Sequence, residues 1–137
     1  MLRTVMTAMG LALGLGLGAT TAVAAGDVAE GEKWANRVCK ACHTFEAGDR
    51  HRIGPNLWGI VGRVPGTVEG FDRYKVAGLF VENGVDIWTE DLLTEYFTNT
   101  VAFREKYAGG QPSAMVLPPL PEARAADIAA YLATLKD

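Results

Sequence analysis

Cysteine and histidine are each used only twice in these 137 residues, as Cys39, Cys42, His43 and His51. A tetrahedral zinc site would have to take all four, with no further cysteine anywhere to supply it, and is a poor fit. Basic residues are also in deficit: 13 Lys and Arg stand against 16 Asp and Glu, a balance unsuited to holding a phosphate backbone. No alternating run rich in β-branched residues occurs, which removes the strand signal and predicts an all-α chain. Methionine is nearly absent after the first 25 residues, where Met115 is the only one.

Charge is missing from the N-terminus. Arg3 is the single charge in residues 1–25, and the stretch from Thr4 is built of small and apolar residues closing on Ala22-Val23-Ala24-Ala25. This predicts a secretory signal peptide over residues 1–25. An uncleaved membrane anchor is the competing reading, weakened by its many glycines. Residues 26–137 then make one domain with one modest core. Without Arg3 that domain has 12 basic and 16 acidic residues, a net charge of −4. Export would place it in the periplasm, where two cysteines would ordinarily pair as a disulfide.

The cysteines fall in Cys39-Lys40-Ala41-Cys42-His43. A disulfide across two residues would restrain little chain and would leave the adjacent histidine unexplained. A redox dithiol wants a strand before it, and no β-branched run precedes Cys39. The C-x-x-C-H spacing suits one covalent haem c, with both thiols adding across its vinyl groups and the imidazole of His43 lying under the iron. From Thr44 to Gly70 the chain is broken by glycine and proline but carries Ile53, Leu57, Trp58, Ile60 and Val61. A flat apolar cofactor would give such a loop a surface to cover.

The helices follow from caps and periodicity. Asp27 and Glu30 read as a capping box that opens a helix running to Cys39, with Gly31 in its interior leaving room for a close neighbour. A short helix is predicted from Tyr74 to Glu82, ending at Asn83-Gly84. Thr89 caps another, with Glu90 and Asp91 in its first turn and Leu92, Leu93, Tyr96 and Phe97 on its apolar side, to about Asn99. One or two further turns span Thr100 to Tyr107. The last helix takes Pro121 as its first residue and carries Ala125, Ile128, Ala129, Leu132 and Leu135 on one stripe.

A sixth iron ligand has three candidates. Met115 sits in a loop stiffened by prolines, suited to holding a thioether at a fixed height. His51 competes, only eight residues beyond His43, and Tyr107 would give a catalase-like ligation.

Taken together, these motifs resemble the class I monohaem cytochromes c, bacterial relatives of the mitochondrial protein. The resemblance rests on Cys39-x-x-Cys42-His43, Gly54-Pro55-Asn56-Leu57 with Gly59 and Gly62-Arg63, Trp88 with Tyr96, Met115, and Ile128 with Tyr131-Leu132, in that order. It implies a small all-α fold of four to five helices with turn-rich loops wrapped around one covalent haem. It implies axial ligation by His43 and Met115, with the carbonyl of Pro55 on the outer nitrogen of His43. Arg63 and Trp88 would lie by a haem propionate, the hydroxyl of Tyr96 would point at the Met115 sulfur, and Gly31 would cross Ile128 and Tyr131.

The chain departs from that pattern in places. Ala35 stands where an aromatic is usual, with Trp34 beside it as a substitute. The stretch from Trp88 to Met115 is several residues longer than in the mitochondrial type, and Gly70-Phe71-Asp72-Arg73-Tyr74 has one extra residue, which leaves Tyr74 unassigned. The implied function is one-electron transfer with no substrate transformed. Donors would be a cytochrome bc complex or a dehydrogenase, and acceptors an oxidase, a reaction centre or a reductase. A haem enzyme or gas-binding protein with an open sixth site is the alternative, for which only His51, Arg50 and Arg52 offer distal polar groups. Eight of the 12 basic residues precede Val76 while many acids follow, which suggests a dipolar molecule docking through Lys40 and its basic neighbours.

Overall fold

The computed structural model describes residues 25–137, and the signal peptide predicted for residues 1–25 lies outside them but for Ala25. Five helices and no strands occur among the described residues: α1 Val28–Val38, α2 Ala77–Glu82, α3 Glu90–Thr98, α4 Thr100–Ala108 and α5 Glu122–Thr134.

Asp27 caps α1 by accepting from the Glu30 N–H at 3.0 Å. The expected return bond from Glu30 is not made. Asp127 of α5 takes the Asp27 N–H instead, at 2.7 Å, and the Glu30 carboxylate turns to Lys33 at 3.1 Å. The helix start is thereby tied to the far end of the chain. A Cβ on Gly31 would lie 1.9 Å from the Asp127 carbonyl oxygen and 2.9 Å from Tyr131 Cβ. Glycine is therefore what lets α1 and α5 cross, with the Asp127 backbone and Tyr131 nearest to it. Ala35 is fully buried. Trp34 lies under the Arg124 guanidinium at 3.6 Å, with Arg37 at 5.1 Å, so its compensating contact with α5 is cation–π stacking.

Two boundaries differ from expectation. Tyr74 lies in a turn closed by the Ala77 N–H on its carbonyl, because its side chain is drawn into the core, and α2 starts at Ala77. Pro121 is extended (φ −54°, ψ 138°) and precedes α5, which begins at Glu122. Thr89 caps α3 through the Leu92 N–H at 3.1 Å. Asn99, expected only as a helix end, caps α4 by accepting from Val101 and Ala102 at 3.1 and 3.0 Å. Gly109 ends α4 in the left-handed region at φ 57°, where a side chain would be strained.

The core is aromatic. Phe80 and Phe103 are buried with ring centroids 5.2 Å apart. Trp88 lies 6.0 Å from Phe80 and 5.8 Å from Phe103, and Tyr96 is 5.0 Å from Phe103. Leu57 and Ile60 of the loop join this core, but Ile53 is 71% exposed and does not cover it.

Candidate functional site

Where α1 ends, the chain turns tightly, with the Cys42 and His43 N–H groups both on the Cys39 carbonyl at 3.0 and 2.9 Å. This single turn places both thiols and the imidazole together. The thiols are free of each other. Burial, with a smaller effect from Cys42, pushes the Cys39 thiol up to about 12. A catalytic redox dithiol needs the opposite, a thiol acidified toward neutrality.

His43 is buried, and its Nδ1 lies 2.8 Å from the Pro55 carbonyl oxygen. Facing an acceptor, Nδ1 carries the proton, which leaves the Nε2 lone pair for a metal. Burial lowers the pKa of the ring, and the Pro55 hydrogen bond opposes this only partly, so the imidazole is neutral as a ligand must be. Gly54 is packed on the ring: a Cβ there would lie 2.3 Å from Cε1. The Gly54 N–H also bonds the Cys42 carbonyl at 2.7 Å, which holds the proline loop against the cysteine turn.

Met115 packs against the same core to which Cys39, Trp88 and Tyr96 belong. The Tyr96 hydroxyl donates to its sulfur at 3.4 Å and is met by the Tyr74 hydroxyl at 2.5 Å. Because Tyr96 donates to sulfur, Tyr74 donates to Tyr96. Burial raises the pKa of both phenols. Arg63 donates Nη1 to the Asn56 carbonyl at 3.1 Å and Nη2 to the Trp58 carbonyl. Its own carbonyl accepts from the Trp88 N–H at 2.8 Å while Gly62 donates to the Trp88 carbonyl at 2.7 Å, so Arg63 and Trp88 are neighbours.

His51 is fully engaged elsewhere. Its Nε2–H donates to the Glu69 carbonyl at 2.7 Å and its Nδ1 accepts from the Asn56 N–H at 2.9 Å, leaving no lone pair for a metal. Its work is to clamp two loops together. Asn56, which sequence reasoning passed over as a functional residue, is buried and bonds Glu46, Asp49 and Trp58 at 2.8, 2.9 and 2.7 Å. It fixes the loop that presents Pro55. A polar residue directly after Gly54-Pro55 was the available signal. A groove of about 530 Å³, rimmed by Glu90, Asp91, Glu95 and Glu122, includes none of the candidate residues.

The unbridged thiols, the neutral imidazole with one free nitrogen and the glycine-packed ring suit a thioether-linked haem. No protein-family model matches the chain. It is 41% identical over 108 residues to cytochrome c of Chlamydomonas reinhardtii, covering 79% of this chain and 88% of that one. To cytochrome c-550 of Novispirillum itersonii it is 38% identical, covering 81% of this chain and all of that one. Ferric cytochrome c-550 from Paracoccus versutus superposes with a TM-score of 0.67 at 36% identity, over 80% of this chain and 98% of that one. Cys39 and Cys42 carry one covalent haem c. A cysteine-histidine turn of this geometry, five helices around one aromatic core and relatives matched along nearly their whole length lead to one assignment: the chain belongs to the class I cytochromes c.

Proposed function

We propose that this protein is a periplasmic one-electron carrier whose iron is held between His43 and Met115. The observation that carries this reading is the Tyr96 hydroxyl on the Met115 sulfur at 3.4 Å, in the same core as Cys39. The haem supplies the Fe(III)/Fe(II) couple. His43, oriented by the Pro55 carbonyl, presents Nε2 from one side. Met115, oriented by Tyr96, presents a soft thioether that favours the reduced iron. Pro55, Arg63, Trp88 and Tyr96 hold these groups and exclude water. A haem enzyme or gas-binding protein would want free distal polar groups, but His51 is saturated and Arg52 donates Nη1 to the Lys40 carbonyl at 2.7 Å.

Donors would be a cytochrome bc complex or a dehydrogenase, and acceptors an oxidase, a reaction centre or a reductase. Docking is proposed through a ladder of exposed cations: Arg73 Nη2 bonds the Arg52 carbonyl at 2.7 Å, and Arg52 in turn bonds that of Lys40. No ion pair among the described residues neutralises these three side chains. Residues 1–25 would be removed on export, and intact mass of the periplasmic protein checks this. Ferric protein should show the weak near-infrared band of iron–sulfur ligation. Met115→Ala should abolish it and His51→Ala should not; the reverse outcome would overturn the axial assignment.

A further inference from the structure

Arg104 has no place in the site as described. It lies in α4 between Phe103 and Tyr107, in the segment that is longer than in the mitochondrial type. Its Nε is shut off from solvent and has no hydrogen-bond partner, the one buried side-chain nitrogen or oxygen of the described residues in that condition. Neither ion pair among those residues includes it. A buried donor left unmade, on a charged group, is costly enough that a partner is expected.

The surroundings define that partner. Arg104 follows Phe103, whose ring lies 5.0 Å from that of Tyr96, and its positive charge favours ionisation of the Tyr74 and Tyr96 hydroxyls. Tyr96 already donates to Met115 and Tyr74 meets Tyr96, while Ser113 Oγ accepts from the Met115 N–H at 3.1 Å. Arg104 therefore lies beside a polar cluster at Met115 whose hydrogen bonds include no carboxylate. Arg63, the other arginine of the site, already has both Nη groups on main-chain carbonyls. A haem bound through Cys39 and Cys42 brings two propionate carboxylates of its own.

We propose that Arg104 binds a haem propionate through its Nε–H, on the Met115 side of the site. A charge-assisted bond of this kind satisfies the orphan donor and gives the half-buried arginine a counter-ion. It also places a positive charge near the iron, which favours the ferrous state. The inference depends on the covalent haem and not on which group is the sixth ligand.

The test starts from wild-type holoprotein, isotope-labelled and reduced. The Arg104 Nε–H should give a slowly exchanging resonance with nuclear Overhauser contacts to the propionate methylenes. Rapid exchange with water, or contacts only to Tyr74, Tyr96 and Ser113, would overturn the proposal. Two variants then read its electrostatic consequence, with covalent haem verified by staining. Arg104→Met should lower the ferrous-to-ferric ratio several-fold at a fixed solution potential, and Arg104→Lys should retain most of it. A ratio unchanged in Arg104→Met, or shifted equally in both variants, would count against Arg104 as the propionate's partner. If Arg104→Met does not fold, the wild-type resonance decides. Loss of the near-infrared band in wild-type protein would instead indict Met115 and leave this contact standing.

Discussion

The hydroxyl of Tyr96 is 3.4 Å from the sulfur of Met115, across 19 positions of sequence. Tyr96 is set by α3, and its ring is wedged against Phe103 and Trp88 at 5.0 and 5.5 Å. Met115 lies in a loop with no helix of its own, so the tyrosine is the group that fixes where the thioether can be.

Tyr96→Phe should keep the near-infrared band and lower the midpoint potential. Without the donor, the sulfur lone pairs are more available to ferric iron. The loss of one modest hydrogen bond, about 0.5–1.5 kcal/mol, corresponds to a shift of tens of millivolts for one electron. Equilibrium redox titration measures it, and an unchanged potential would show the contact to be electronically idle.

The cysteine turn predicts where colour goes on extraction. Acid-acetone should leave the haem with the polypeptide, and Cys39→Ser with Cys42→Ser should release it. Colour that extracts from the wild type would contradict thioether attachment.

Gly31→Ala should be destabilising despite the better helix propensity of alanine, about 1 kcal/mol in its favour. The new Cβ would sit 1.9 Å from the Asp127 carbonyl, backbone against side chain, so α1 and α5 must part. Overpacking of this kind costs about 1–3 kcal/mol or more. Denaturant midpoints would read the loss, and a variant as stable as wild type would mean that the helices slide freely.

Alkaline stability follows from the paired phenols. Burial raises the pKa of Tyr74, with a further push from Tyr96. In the unfolded chain a tyrosine ionises near pH 10, so above that pH the unfolded state releases protons that the folded state retains. Stability should be full below about pH 10 and decline as pH climbs beyond it. Tyr74→Phe should flatten the decline, as measured by denaturation at several alkaline pH values.

Second-order rates with the native partner should fall as salt rises, and Lys40→Glu together with Arg52→Glu should slow them several-fold at low ionic strength. Steering by exposed charge acts over roughly 10 Å at 0.1 M salt. Rates that rise with salt would point to docking through acidic surface.

The chemistry of this protein is local in its sequence. Two thiols and an imidazole within five residues need only one turn of backbone to meet, so Cys39, Cys42 and His43 were legible before any fold was known. The caps at Asp27 and Thr89 were legible for the same reason, since each bonds an N–H three residues away. The lone methionine of residues 26–137 stood out by elimination as a candidate ligand, and the Tyr96 contact to its sulfur was implied by the family resemblance. Relations across long stretches of chain were settled only by packing. Asp127 displaces Glu30 at the start of α1 because α5 crosses there, and Tyr74 leaves its helix because the core claims its ring. His51 is consumed by Glu69 and Asn56, partners 18 and 5 residues away, and the Nε of Arg104 is sealed off without a mate. Periodicity can say which face of a helix turns inward, but which donor meets which acceptor is decided by distances of a few tenths of an ångström that exist only once loops have closed and helices have crossed.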